Sequence, residues 1–171
     1  NLAEYAKKGE VQKILDYLSE YSFEVENSGR KRVCVNPVID NVLSVYLAQA
    51  GQEEIDMDFS VNVDKNIGIQ DVDLVAILAN LLENAIHGCE DSGKEKRKIL
   101  VWMETKAGRL SIVVENTCRE DILFKNGIPM SKGRKGVGVS SIIKGVERYG
   151  GNIDFTCEDG WFSSRIIVPY D

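Results

Sequence analysis

Two asparagines spaced one helical turn apart are the residues of this sequence best suited to chemistry. Asn80 and Asn84 lie in an otherwise largely apolar run that ends at His87. Residues at i and i+4 share one helix face, and Asn is a poor helix former because its amide competes for backbone hydrogen bonds. Carboxamide oxygens are neutral hard ligands of the kind that a phosphate-bound Mg²⁺ accepts. The alternative is that both are ordinary buried amides, hydrogen-bonded to the protein.

Two glycines form a second pattern that suits a phosphate ligand. Gly136 and Gly138 precede a predicted helix over 139–149, and the basic residues Lys132, Arg134 and Lys135 lie beside them. Glycines let the backbone approach an anion closely, and a helix N-terminus directs free N–H groups and its positive dipole end at that anion. On an acidic chain, this local positive charge favours a polyphosphate ligand.

The two common nucleotide-binding motifs do not fit these glycines. A P-loop requires Lys and then Ser or Thr directly after the second glycine, where this chain has Val139. A dinucleotide-binding fingerprint requires a preceding strand and a third glycine at the position of Ser141. The pattern therefore excludes both motifs.

Composition limits the classes of function. The chain has 171 residues, of which 43% are hydrophobic, enough for one main core and a small appendage. A net charge of −6 argues against nucleic acid as a general partner. Four widely spaced cysteines and a single histidine argue against a zinc site and predict reduced thiols.

Hydrophobic periodicity and turn signals predict the order of the elements. The predicted helices cover about 1–26 with a break at Gly9, 36–51 with an Asn36-Pro37 start, a segment from an Asp71 cap onward, and 139–149. The predicted strands cover 57–63, 99–105, 110–115, 152–157 and 162–168. Residues 117–137 are predicted to form a mobile loop. This order predicts an α+β two-layer sandwich, with helices on one face of a mixed, mostly antiparallel sheet.

Taken together and in this order, the motifs resemble the GHKL ATPase domain of sensor histidine kinases, the Bergerat fold, over residues 36–169. Residues 80–85 resemble the N box of that family, 136–139 its second glycine box, and 150–169 its closing strands. The finer resemblance is to the accessory-gene-regulator quorum-sensing receptor kinases, because residues 2–18 resemble the end of their dimerisation hairpin. We therefore divide the chain into the distal part of a helical hairpin (1–28) and a catalytic and ATP-binding domain (29–171).

The resemblance implies ATP and Mg²⁺ as ligands and a role for each site residue. It implies that Asn80 and Asn84 hold Mg²⁺ and that Asn116 contacts adenine. The phosphate-side residues it implies are Lys132, Gly133, Lys135, Gly136, Gly138 and His87, the last being equally well explained as a structural histidine. The acceptor histidine would lie upstream of Asn1, in the cytoplasmic part of a membrane-bound, homodimeric bacterial receptor that passes phosphate to a response regulator.

Two departures from the wider family leave alternatives open. The first glycine box, usually D-x-G-x-G, reads Asn116-Thr-Cys-Arg-Glu here, and a neutral amide accepts a weaker hydrogen bond than a carboxylate. Members that hydrolyse ATP carry a Glu base where this chain has Asn80, so we expect slow or negligible hydrolysis. The alternatives are an anti-sigma-type serine kinase with Glu83 as base, and a non-catalytic interaction module with a decayed pocket.

Overall fold

A computed structural model describes residues 1–29, 31–131 and 134–170, and the side chains at 21–28, 134, 135 and 137 lie outside that description. The helices are α1 (Leu2–Lys7), α2 (Val11–Ser28), α3 (Pro37–Gln52), α4 (Asp71–Glu90) and α5 (Val137–Arg148). The strands are β1 (Asp56–Asn62), β2 (Lys98–Lys106), β3 (Arg109–Thr117), β4 (Leu123–Lys125), β5 (Ile128–Ser131), β6 (Arg134–Lys135), β7 (Asn152–Glu158) and β8 (Trp161–Pro169). Every predicted helix and strand is present.

The main sheet has five strands in the order β1-β2-β3-β8-β7. The β1 and β2 strands are parallel and joined through α4, whereas all other neighbours in this sheet are antiparallel. Parallel neighbours need a crossover connection, and here α4 supplies it. The mixed, mostly antiparallel sheet predicted from the sequence is confirmed.

The core lies between one face of this sheet and α3, α4 and α5. Alternate residues of β2, namely Ile99, Val101 and Met103, are buried against the helices, as the period of a strand requires. Helix α4 is long and apolar enough to cross a membrane, but 72% of its apolar window is buried inside the protein. It is the central helix of the two-layer sandwich.

Two of the three predicted helix boundary signals are confirmed. The Asn36 side chain accepts a hydrogen bond of 3.0 Å from the Ile39 amide, and Pro37 follows as the first helical residue. Gly9 separates α1 from α2 with a φ of +67°. The Asp71 cap is wrong: Gln70 is the N-cap, and Asp71 lies in the first turn, where a carboxylate still complements the helix dipole.

Residues 117–137 contain a second, small sheet rather than only a loop. Strands β4, β5 and β6 pair antiparallel in that order. Asn126 and Gly127 connect β4 to β5 with φ of +53° and +74°, the conformation that a two-residue type I′ turn needs. The prediction of a loop without strands is therefore wrong for this segment. Asn126-Gly127 is the sequence signal that indicates the β4–β5 hairpin.

The N-terminal helices pack on the sandwich. Leu2 and Ala3 of α1 are buried against the core, and the Asn1 Nδ2 donates a hydrogen bond of 3.2 Å to Glu83 Oε1 on α4. The division of the chain into parts before and after residue 28 stays a prediction.

Candidate functional site

A cavity of about 530 Å³ lies where the C-terminal half of α4, the start of α5, the end of β3 and the small sheet meet. Five of the residues singled out from the sequence line it, namely Asn84, His87, Asn116, Gly136 and Gly138. They come from three separate elements of the chain. The fold thus brings the two patterns and the strand end together in one place.

Asn80 is fully buried and does not line the cavity itself, but its side chain lies next to Gly138, which does. Its Nδ2 donates hydrogen bonds to the Ala76 carbonyl at 2.7 Å and to Ser141 Oγ at 3.3 Å. Its Oδ1 has no hydrogen-bond partner within the described parts of the chain. A buried polar atom without a partner is unusual and costs stability, so this oxygen is a candidate to receive a ligand.

Gly138 is the point on which both asparagine side chains converge. A Cβ added there would lie 3.1 Å from Asn84 Oδ1 and 3.4 Å from Asn80 Oδ1. A side chain at this position would therefore require the Asn84 amide to move by a few tenths of an ångström. The position lies inside the first turn of α5, so the expectation that both glycines precede the helix is wrong for Gly138.

The donor set suits a phosphate-bound Mg²⁺. The Oδ1 atoms of Asn80 and Asn84 both lie next to Gly138 in the first turn of α5. The Asn80 oxygen has no hydrogen-bond partner among the described residues, and Asn84 is half-buried. No cluster of three or more metal-binding acidic, histidine or cysteine side chains occurs among the residues that the structure describes. A cation that takes most of its ligands from phosphate and water needs only such neutral oxygens from the protein.

The N-terminus of α5 faces the cavity without a side-chain cap. Gly136 is the N-cap residue and lines the cavity. The first N–H groups of a helix have no intrahelical partner, so they and the dipole are available to an anion. Lys132 and Gly133, which we expected beside the phosphates, lie outside the described residues, as does the side chain of Lys135.

Asn116 is positioned by close packing on α4. Its side chain is buried, and its Nδ2 donates a hydrogen bond of 3.0 Å to the Thr117 carbonyl. A Cβ added at Gly88 would lie 2.5 Å from that Nδ2, so only glycine at position 88 leaves room for Asn116. Gly88 is a site residue that was not predicted from the sequence. A glycine inside a predicted helix, which costs about 1 kcal/mol relative to Ala, was the available signal.

The end of the cavity near Asn116 is largely apolar. Its walls there include Phe155 and Phe162, whose ring centroids are 6.0 Å apart, together with Ile122, Pro129 and Met130 of the small sheet and its approach. An apolar pocket with one convergent polar group is the usual setting for a planar heterocycle. These apolar residues were not predicted to be part of the site.

Glu83 and His87 form a pair on the α1 side of α4. His87 is exposed and its Nε2 lies 3.6 Å from Glu83 Oε1, whereas Glu83 is buried and its Oε2 has no partner among the described residues. Burial, and secondarily the Glu83 carboxylate, raise the pKa of Tyr46 above its ordinary value.

Lys7 of α1 lines the cavity, a contribution that no local pattern in the sequence reveals.

Comparison with known families agrees with this arrangement. A family model described as the GHKL domain matches residues 69–169, which is more than half of the chain. The chain belongs to the GHKL family. The matched range contains every residue of the candidate site except Lys7. No curated protein sequence matched.

Solved structures share the fold of this GHKL domain at low sequence identity. The catalytic domain of the histidine kinase ThkA is 18% identical with a TM-score of 0.61, over 78% of this chain and 90% of that one. The mycobacterial sensor histidine kinase MprB is 17% identical with a TM-score of 0.56, over 78% and 93%. The Acinetobacter baumannii histidine kinase AdeS is 15% identical with a TM-score of 0.60, over 95% and 80%. The α+β fold is therefore that of histidine kinase catalytic domains.

Proposed function

We propose that this GHKL domain is the ATP-binding catalytic domain of a two-component sensor histidine kinase. It would transfer the γ-phosphoryl group of Mg·ATP to a histidine upstream of Asn1. The observation that carries the proposal is the convergence of Asn80 Oδ1 and Asn84 Oδ1 on Gly138, at the head of α5 and beside the cavity. That arrangement offers a place for a metal-bound triphosphate and, at the other end, an apolar place for a base.

Each part of the cavity has a distinct task in this proposal. Asn80 and Asn84 would hold Mg²⁺, which when bound offsets the charge on the phosphate oxygens. The uncapped start of α5 orients the phosphates through backbone N–H groups. Asn116 orients the base, and Phe155 and Phe162 exclude water from it. Phosphoryl transfer is mainly positioning and electrostatic stabilisation, so these tasks supply most of what the reaction needs.

The asparagine pair offers no group that would activate water. Asn80 is a neutral amide and cannot accept a proton. Glu83 does not line the cavity, and its Oε1 lies 3.2 Å from Asn1 Nδ2 and 3.6 Å from His87 Nε2. The acids that line the cavity, Glu90 and Asp91, lie at the C-terminal end of α4, about 9 Å along the helix from Asn84. This supports slow hydrolysis, and it weighs against the alternative of a serine kinase that uses Glu83 as its base.

The finer identity rests on the sequence motifs. We propose that the domain belongs to a quorum-sensing receptor of the accessory-gene-regulator type, with a membrane-bound sensor region, a homodimeric full-length form and a response regulator as phosphate acceptor. Helices α1 and α2 are separated at Gly9, and this helical pair supports the proposal that residues 1–28 form the end of a dimerisation hairpin. His87 would contact phosphates from within α4 and would not accept the phosphoryl group.

A phosphotransfer assay tests this proposal. The chain is mixed with γ-labelled ATP, Mg²⁺ and a longer version of itself that carries the upstream histidine and the Asn84→Ala substitution. We expect acid-labile label on the longer chain, as phosphohistidine requires. Acid-stable label on serine of another protein would favour the serine kinase, and the absence of both label and nucleotide binding would favour the non-catalytic module.

A further inference from the structure

Two cysteines that are far apart in the sequence meet at the wall of the cavity. The Sγ atoms of Cys118 and Cys157 are 3.5 Å apart. Cys118 directly follows β3, and its amide donates a hydrogen bond of 2.9 Å to the Gly160 carbonyl. Cys157 lies on β7, where it pairs with Phe162, which in turn pairs with Asn116. The thiols are therefore held together by the register of three neighbouring strands.

The two thiols differ in their access to solvent. Cys118 is buried and lines the cavity, whereas Cys157 is half-buried and opens onto a surface cleft beside Phe124 and Gly127. A small solute can thus reach Cys157 first. Burial, together with the neighbouring Cys157, raises the pKa of Cys118 to about 12, so Cys118 stays protonated near neutral pH.

The other two cysteines have different surroundings. Cys34 Sγ lies 3.5 Å from the Asn36 carbonyl, and Cys89 Sγ lies 3.4 Å from Thr117 Oγ1. Neither contacts another cysteine in the part of the chain that the structure describes. Proximity thus distinguishes one pair among the four free thiols.

We propose that Cys118 and Cys157 form a peroxide-sensitive dithiol site that closes to a disulfide. The Cys157 thiolate attacks hydrogen peroxide, which is reduced, and becomes a sulfenic acid while one oxygen leaves as water after protonation. The Cys118 sulfur then attacks the Cys157 sulfur, the S–O bond breaks, and the departing hydroxide takes the Cys118 proton and leaves as a second water. In total, two thiols and one peroxide give one disulfide and two waters.

Closing this bond would affect the nucleotide cavity, a consequence that rests on the proposed function. The sulfur atoms must approach from 3.5 Å to about 2.05 Å, which requires a rotation of at least one cysteine side chain or a shift of the backbone beside it. Cys118 is two residues from Asn116, whose side chain packs closely on Gly88, so a change at Cys118 is passed to the polar group of the cavity. We expect the oxidised domain to bind Mg·ATP about fivefold more weakly, the effect of losing one neutral hydrogen bond.

Thiol counting and peptide mapping of the wild-type chain test the site directly. The chain is treated with dilute hydrogen peroxide, alkylated under denaturing conditions and digested. We expect the four free thiols to fall to two, a cross-linked peptide joining Cys118 to Cys157, and full reversal by dithiothreitol. The Cys34→Ser variant should still form the cross-link, and Cys157→Ser should not. Separate sulfinic acids at the two positions, or a disulfide through Cys34 or Cys89, would overturn the proposal.

Calorimetry of the reduced and oxidised chains with Mg·ATP tests the consequence. Equal affinity in both states would overturn the coupling to nucleotide. Failure of the reduced chain to bind would contradict the proposed function instead, while the mapped cross-link would still decide the dithiol site.

Discussion

At the level of single residues, Asn80 is the most informative side chain of the site. Its Nδ2 makes two hydrogen bonds that fix the side chain, yet its Oδ1 is buried without a partner among the described residues. Leaving such an atom unpaired costs about 1–3 kcal/mol. A ligand that binds this oxygen would recover that cost, which agrees with the role proposed for the asparagine pair.

The contact between Gly88 and Asn116 gives the first prediction. In Gly88→Ala, the new Cβ would lie 2.5 Å from Asn116 Nδ2, so Asn116 must move away from its position at the cavity. We expect Mg·ATP affinity to fall about tenfold and the free energy of unfolding to fall by about 1–3 kcal/mol from overpacking. Calorimetry and chemical denaturation measure the two effects.

Gly51→Ala is the matched control for this substitution. Gly51 also lies inside a helix, α3, but an added Cβ there meets no atom within 4 Å. We expect unchanged nucleotide affinity and a gain in stability of up to about 1 kcal/mol from helix propensity. If Gly88→Ala behaved like Gly51→Ala, the steric account of Asn116 would be wrong.

At the level of elements, one buried acid joins the start of α4 to the end of α5. Asp73 Oδ2 accepts a hydrogen bond of 2.6 Å from the Tyr149 hydroxyl, and Arg148 pairs with Asp73 Oδ1. The Tyr149 hydroxyl also accepts a hydrogen bond of 3.0 Å from the Gln70 amide. These contacts set the position of α5, and hence of its N-terminus at the cavity.

Asp73→Ala should therefore lower the free energy of unfolding by about 1–2 kcal/mol, since the Arg148 side chain is 63% exposed and its pairing is screened. Asp71→Ala is the control, because exposed Asp71 contributes mainly to the helix dipole, at about 0.3–1 kcal/mol. Chemical denaturation of both variants checks the difference. A larger loss in Asp71→Ala would contradict this description of the helix contact.

Helix α1 contributes a positive charge to the cavity. Lys7 lines it, whereas its neighbour Lys8 pairs with Glu4 at 2.7 Å. We expect Lys7→Ala to weaken Mg·ATP binding about threefold, with a loss that shrinks at high salt, because the charge is exposed and screened. Lys8→Ala should leave the affinity unchanged. Equal effects of the two substitutions in calorimetry would show that Lys7 acts only through net charge.

The elements themselves follow from local signals in the sequence. Asn36-Pro37 specifies the start of α3, and period-two hydrophobic patterns specify the strands, because these signals act within a few residues. Asn126-Gly127 was an equally local signal and would have revealed the small sheet. The cap at Gln70 was not predictable in this way, since neither the sequence pattern nor any side-chain hydrogen bond marks it.

The composition of the site was only partly predictable. Asn80 and Asn84 stand out because polar residues of poor helix propensity interrupt an apolar helix. The contributions of Lys7 and Phe162 depend on contacts between segments distant in the sequence, which no local pattern encodes. For Gly88, the glycine inside a predicted helix was a local signal, but its contact with Asn116 was not predictable. The pairing of Cys118 with Cys157 likewise requires the order of strands β3, β8 and β7.

At the level of the whole molecule, α1, α3 and α4 meet around a buried polar group. The Tyr46 hydroxyl and Glu83 Oε2 are both buried there without hydrogen-bond partners in the described structure. Burial and the nearby carboxylate raise the pKa of Tyr46. Tyr46 therefore contributes stability that is complete below its unfolded pKa of about 10 and is lost as the pH rises toward the folded value.

The raised Tyr46 pKa predicts that the wild-type chain loses stability more steeply at alkaline pH than the Tyr46→Phe variant does. Above about pH 10, the difference in the free energy of unfolding between the wild-type chain and Tyr46→Phe should change by up to about 1.4 kcal/mol per pH unit. The reason is that Tyr46 ionises only in the unfolded chain there. Chemical denaturation at several pH values measures it. Parallel pH profiles for the two chains would contradict a raised Tyr46 pKa.

Calorimetric titration with ATP, with and without Mg²⁺, is the most direct test of the nucleotide site on which the proposed kinase function depends. We predict that the wild-type chain binds ATP at millimolar concentration or below and binds it more tightly with Mg²⁺. Asn84→Ala should retain its melting temperature, bind about tenfold more weakly and lose the Mg²⁺ dependence. No binding by the wild-type chain, or unchanged Mg²⁺ dependence in a folded Asn84→Ala variant, would contradict the account.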